Sequence, residues 1–132
     1  MRQVLIISKE KETICEIADL LHSYGFSHIV TASDTKSIQA KIYQMCPRLI
    51  ILDCDMEQSE MLKVQKVISG PLTEITILIA PVQNKDSCIF SGLKNGFTHF
   101  LIKPIGKRQF NFTVNEIMEK GVNDFQKNKH SR

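Results

Sequence analysis

Short unbroken apolar runs recur along this chain: QVLII at residues 3–7, LIIL at 49–52 and ITILIA at 75–80. Runs of this length without alternation predict strands covered on both faces. HIVTA (28–32) and HFLI (99–102) are more mixed and read as two further strands. Between the runs the rhythm becomes helical. Ile14, Ile17, Ala18, Leu21 and Tyr24 recur at three- and four-residue steps, which predicts a helix from Glu12 that Gly25 closes. Ile38, Ile42 and Met45 form the stripe of a second helix, capped by Ser33 or Asp34 and stopped at Pro47. A weaker third helix is expected at 60–68, closed by Ser69, Gly70 and Pro71. A fourth covers 85–94 and ends at Asn95 and Gly96. A fifth covers 107–122, with Phe110, Val114, Ile117 and Met118 inward. From Asp124 the chain is polar (DFQKNKHSR) and reads as a frayed tail. The division is one domain at 1–123 and a tail at 124–132.

Five strands alternating with five helices imply an α/β fold, a parallel sheet with helices on both faces. Such sheets bind ligands beyond the carboxyl ends of their strands. The informative residues therefore stand just after each run: Ser8, Lys9 and Glu10; Asp53, Cys54 and Asp55; Ala80, Pro81 and Val82; Lys103 and Pro104.

Composition narrows the function classes. The chain is 42% hydrophobic and 23% charged, ordinary for a globular domain. No apolar stretch reaches the length of a membrane helix, and the N-terminus lacks a secretory pattern. Net charge is +3, from 17 basic and 14 acidic residues, and part of the excess lies in Lys127, Lys129 and Arg132. That is too weak to imply nucleic acid. Cys15, Cys46, Cys54 and Cys88 form neither a CxxC pair nor a zinc pattern. They read as four ordinary thiols of a reduced, cytoplasmic protein. A redox role for Cys54 is conceivable beside lysines, but a buried or neutral loop thiol is the commoner case. His22, His28, His99 and His130 are scattered and suggest no metal.

LIILDCDM followed by GLKNGFTHFLIKP, with Lys9, Gly25 and Phe26 at matching separations, resembles the receiver domain of bacterial response regulators. The resemblance covers about residues 3–120 and rests on the ordered set. It implies a three-layer, flavodoxin-like fold with strand order 2-1-3-4-5. It also implies a phosphoacceptor aspartate at Asp53, a phosphate-neutralising lysine at Lys103 before Pro104, and a switch aromatic at Phe100. A cis Lys103–Pro104 bond is expected, as cis bonds are largely confined to proline. Family members hold Mg²⁺ with an acidic pair after the first strand and bond the phosphoryl group with a Thr or Ser after the fourth. Partners implied are a histidine kinase and an output domain or protein. A homodimer through the face of helix four, strand five and helix five is also implied, with contacts in 87–94, 107–115 and around Phe100.

The departures set the reading. The acidic pair aligns with Ser8 and Lys9, the Thr/Ser position with Pro81 or Ala80, and a usual glycine with Met61. Mg²⁺ requires several oxygen ligands in near-octahedral array. Asp53, a carbonyl near Asp55 and an ammonium at Lys9 do not supply them; Glu10 swinging inward is disfavoured. The expectation is a degenerate receiver acting by protein–protein interaction, without Mg²⁺-dependent phosphorylation and without a cofactor. In it, Lys9, Asp53 and Lys103 converge as a charge cluster, and Asp53 is held by lysine. The first rival is a conventional receiver that takes phosphate on Asp53 and needs Mg²⁺. A second rival is a flavodoxin-type enzyme or nucleotide binder, disfavoured because SKEKET after the first strand has no glycine.

Overall fold

The computed structural model describes residues 3–130, with side chains through residue 120. Five parallel strands, β1 (Gln3–Ile7), β2 (His28–Ala32), β3 (Leu49–Asp53), β4 (Thr76–Ala80) and β5 (His99–Ile102), form one sheet of order 2-1-3-4-5. Five α-helices alternate with them: α1 (Lys11–Tyr24), α2 (Thr35–Met45), α3 (Gln58–Val67), α4 (Lys85–Lys94) and α5 (Lys107–His130). The fold class and strand order match the expectation. Two short 3₁₀ turns, Gly70–Ile75 and Val82–Asn84, were not foreseen. They fill the approach to β4 and the step from β4 into α4. The α5 backbone is helical as far as His130, past the expected end near Val122.

Binary pattern explains the layers. Successive strand side chains face opposite sides of a sheet. Leu5, Ile7, Ile50, Leu52 and Leu78 pack with Ile38 of α2, Met61 and Val64 of α3 and Cys88 of α4. Val4, Ile6, Leu49, Ile51, Ile77 and Ile79 pack on the other face with Ile17 and Leu21 of α1 and Phe110, Val114 and Ile117 of α5. The central strands β3 and β4 are buried at every position, as their unbroken apolar runs require. The edge strands β2 and β5 are partly exposed, which accounts for their mixed composition. Asp34 caps α2, its side chain accepting from the Ser37 amide at 2.9 Å. Gly25 ends α1 at φ 126°, a conformation that other residues rarely adopt.

His99 begins β5, half-buried against α5. Burial holds its imidazole below the ordinary histidine value, with Lys120 adding to this and Glu116 opposing it. The folded state thus binds this proton less readily than the unfolded chain. The resulting penalty is absent well above the ordinary value of 6.5 and grows as pH falls through the lowered one. Urea midpoints measured between about pH 7.5 and about pH 5.5 should therefore decline, and decline less in His99→Gln.

Candidate functional site

Parallel strands carry their C-terminal ends to one edge of the sheet, and register decides what meets there. Ile7 pairs with Leu52, so Ser8 and Asp53 emerge side by side. Asp53 pairs with Ile79, and Ala80 pairs with Ile102, which brings Lys103 across the end of β4. Lys103 is fixed there by its amide, which donates to the Ala80 carbonyl at 3.0 Å. The Lys103–Pro104 peptide bond is cis.

Asp53 is 1% exposed and its two oxygens are differently occupied. Ser8 Oγ donates to Oδ2 at 2.7 Å. Lys103 Nζ stands 3.2 Å from Oδ1, which also accepts from the Asp55 amide at 3.0 Å. A buried carboxylate needs this kind of compensation, because desolvation strongly disfavours an unpaired charge. Lys103 also donates to Thr13 Oγ1 at 3.3 Å and lies 3.9 Å from Asp55 Oδ2. Thr13 reaches Glu10 Oε2 at 3.4 Å, and the Glu10 amide donates to Ser8 Oγ at 3.2 Å. Ala80 and Pro81, at the Thr/Ser position, are buried and carry no hydroxyl.

The expected three-way charge cluster requires correction. Lys103 and Asp53 pair; Lys9 does not join them. Its ammonium pairs with Glu60 of α3 at 2.7 Å and is half exposed. Neighbouring side chains at a strand end point to opposite sides. With Ser8 turned onto Asp53, Lys9 is turned away toward water, where α3 offers a carboxylate. The reading of four ordinary thiols is also corrected. A disulfide joins Cys54 to Cys88, because the end of β3 and α4 share a core layer, with Cα atoms 6.5 Å apart. Cys15 and Cys46 are free and exposed.

Thr13 was missed as a site residue. Its signal was present in the sequence, since Thr13, Ile17 and Leu21 form the buried i, i+4, i+8 stripe of α1. Glu10, exposed, is held above its ordinary carboxyl value, first by a hydrogen bond shared with Asp55 and further by the Asp55 and Asp53 charges, against the pull of Lys103. The ionised form is thus the costly one. Stability from the shared proton is present below 4.5 and lost as pH rises through the raised value. Glu10→Gln should raise the melting temperature slightly at neutral pH, and the gain should vanish in acid below the ordinary value.

Phe100 is half-buried on β5 and packs against the core layer of α4. Gly92 of α4 lies directly against it: a Cβ there would stand 2.8 Å from Phe100 Cε1 and 2.5 Å from Leu78 Cδ1. Around this contact the surface is apolar, with Phe90, Leu93, Ile102 and Phe112 all exposed. Phe100, Ile102, Arg108, Gln109 and Phe112 line a cleft of about 570 Å³ between β5 and α5. Among the described residues no group of three or more His, Cys, Asp or Glu side chains is placed to hold a metal ion. No helix among them is long and apolar enough to cross a membrane.

The sequence matches the response regulator receiver domain family over residues 4–125. No curated protein matches it. The fold is similar to the N-terminal signal receiver domain of a two-component response regulator from Bacteroides fragilis (TM-score 0.75, 20% identity, 89% of this chain and 96% of that one). It is similar to the receiver domain of NtrX from Brucella abortus (TM-score 0.76, 22% identity, 89% and 98%). A third similar structure is the beryllofluoride-activated NtrC4 receiver domain dimer in solution (TM-score 0.75, 22% identity, 91% and 98%). At these identities the likeness is one of fold alone.

Proposed function

This chain belongs to the response regulator receiver domain family, and from that premise we propose that it is an atypical receiver that signals by protein contact without Mg²⁺-dependent phosphorylation. One observation carries the reading: both oxygens of Asp53 are engaged by groups of the chain itself, Ser8 on Oδ2 and Lys103 on Oδ1. Mg²⁺ needs near-octahedral oxygen ligation, several ligands being anionic or water. Ser8 stands where a carboxylate is required and Lys9, turned away to Glu60, supplies no oxygen ligand, so the residues present do not fit that ion. Phosphoryl transfer depends on such charges aimed at the equatorial oxygens. The Ala80 and Pro81 side chains offer those oxygens no donor. Titrating the folded protein with Mg²⁺ under two-dimensional NMR should leave the amides of Ser8, Asp53 and Asp55 unmoved. Saturable shifts centred on Asp53 would contradict the reading.

A second reading has its own support. The Asp55 and Asp53 charges both hold the Glu10 carboxyl above its ordinary value, and a cation drawn among them would relieve that repulsion. That arrangement favours a conventional receiver phosphorylated on Asp53, and the same titration separates the two.

The output surface in this proposal is the face of α4, β5 and α5, used by a second copy of the chain. Its exposed Phe90, Leu93, Ile102 and Phe112 form an apolar patch of the kind that marks interaction sites. Lys94 lies over the Phe90 ring at 5.2 Å and rims the patch. Phe112→Asp should weaken self-association at least about tenfold in sedimentation velocity, as loss of a central aromatic anchor does. Charge reversal at Lys94 or Lys107 should act mainly through on-rate and salt dependence. An unchanged assembly in all three variants would move the interface elsewhere. The unit carrying this function is taken as residues 1–123, in the cytoplasm, with a kinase or an output protein as further partners.

A further inference from the structure

Two cysteines 34 positions apart meet at the edge of a cleft beyond the end of β3. Cys54 directly follows Asp53, and its backbone is fixed on both sides. Its amide donates to the Ile79 carbonyl at 2.9 Å, and its carbonyl accepts from the Met56 amide at 2.9 Å. Cys88 lies in the first half of α4. The Cα separation of 6.5 Å is within the span a disulfide bridges without backbone movement. Both residues are nearly buried, yet both line an opening of about 170 Å³ together with Met56, Gln58, Asn84 and Ser87. A small oxidant or reductant has an approach through it.

The attachment of α4 is uneven. Its C-terminal half is tied to α3, where Gln65 Oε1 accepts from Ser91 Oγ at 3.0 Å and from Asn95 Nδ2 at 2.7 Å. Its N-terminus has no side-chain cap, and Lys85 and Asp86 are exposed. A bond at Cys88 therefore restrains the half of the helix that is otherwise held least.

We propose that Cys54 and Cys88 are a reversible thiol–disulfide switch, set by low-molecular-weight disulfides such as oxidised glutathione, that clamps the N-terminal half of α4 to the end of β3. One thiolate attacks glutathione disulfide and releases one glutathione thiolate. The second thiolate attacks the mixed-disulfide sulfur and releases the other. Two protein S–H bonds and one small-molecule S–S bond are exchanged for one protein S–S bond and two glutathione S–H bonds, and the protein is oxidised by two electrons. In a reducing compartment such a bond is transient and redox-sensing rather than permanent. Since α4 also carries Phe90 and Leu93, the clamp bears on the docking face. That link alone rests on the function proposed above.

The test uses the full chain, reduced and then equilibrated across glutathione redox buffers. After an acid quench, free thiols are alkylated and the Cys54 and Cys88 peptides are read by mass spectrometry. The expected result is a joint, reversible loss of alkylation at both, with an intramolecular cross-link between them. Hydrogen exchange in the N-terminal half of α4 should slow by about tenfold on oxidation. Cys54→Ser and Cys88→Ser should each abolish the transition, but the wild-type titration decides the matter even where a variant fails to fold. Alkylation at both positions in every buffer, separate mixed disulfides without a cross-link, or a cross-link that dithiothreitol cannot reduce in the folded protein each overturns the switch. Equal α4 exchange in the two forms overturns the clamp. None of these outcomes depends on whether Asp53 is phosphorylated.

Discussion

Lys103→Ala should lower the stability of the fold by about 2–4 kcal/mol at neutral pH, read as a shift in the urea midpoint at constant m-value. The reason lies in what is left behind. Asp53 is 1% exposed, and Lys103 supplies the cation paired with it. Without it the carboxylate retains only the Ser8 hydroxyl and the Asp55 amide, two neutral donors. Removing one partner of a buried pair typically costs about 3–5 kcal/mol. The Lys103 side chain is 22% exposed, so water partly replaces it, which places the effect toward the lower end. Asp53→Asn in the Lys103→Ala background removes the orphaned charge and should recover at least about 1 kcal/mol of the loss. No recovery would mean that Lys103 acts through its contacts with Thr13 and Asp55 instead.

Gly92→Ala should destabilise by as much as about 2 kcal/mol although it improves the local helix propensity. Alanine gains about 1 kcal/mol over glycine within a helix. Against this, the new Cβ would lie 2.5 Å from Leu78 Cδ1 and 2.8 Å from the Phe100 ring. Leu78 is fully buried on the central strand β4 and has no room to yield. Overpacking of this kind costs about 1–3 kcal/mol. Phe100, half-buried at the sheet edge, is the group able to move, so its ring should be displaced outward in the variant. Loss of the Leu78 methyl to Phe100 ring cross-peaks in NMR would report this. A stability equal to or above wild type would show that the packing around Phe100 is looser than described.

The core and topology were legible because burial on both faces leaves unbroken apolar runs. LIIL and ITILIA can belong only to the interior of a sheet or a buried helix, and the glycines and prolines around them favour the sheet. Lys103 as partner of Asp53 was legible too, since both follow strands that end close together. Lys9 was not. A displacement of one residue along the chain reverses the side on which a side chain emerges, and the turn from β1 into α1 decides which of Ser8 and Lys9 faces inward. Its partner Glu60 depends on where the loop 54–57 delivers α3, which no periodicity encodes. The Cys54–Cys88 pairing was hidden for a similar reason. Four cysteines allow three complete pairings, and spacing along the chain does not report proximity across β3 and α4.

Under the proposed function Asp53 is a structural carboxylate of an atypical receiver rather than a phosphoacceptor. Incubating the folded chain with a small-molecule phosphodonor and excess Mg²⁺, then measuring intact mass, tests it most directly. The account predicts an unchanged mass in both the wild type and Asp53→Asn. A phosphate adduct that forms on the wild type, requires Mg²⁺ and is absent from Asp53→Asn would contradict it.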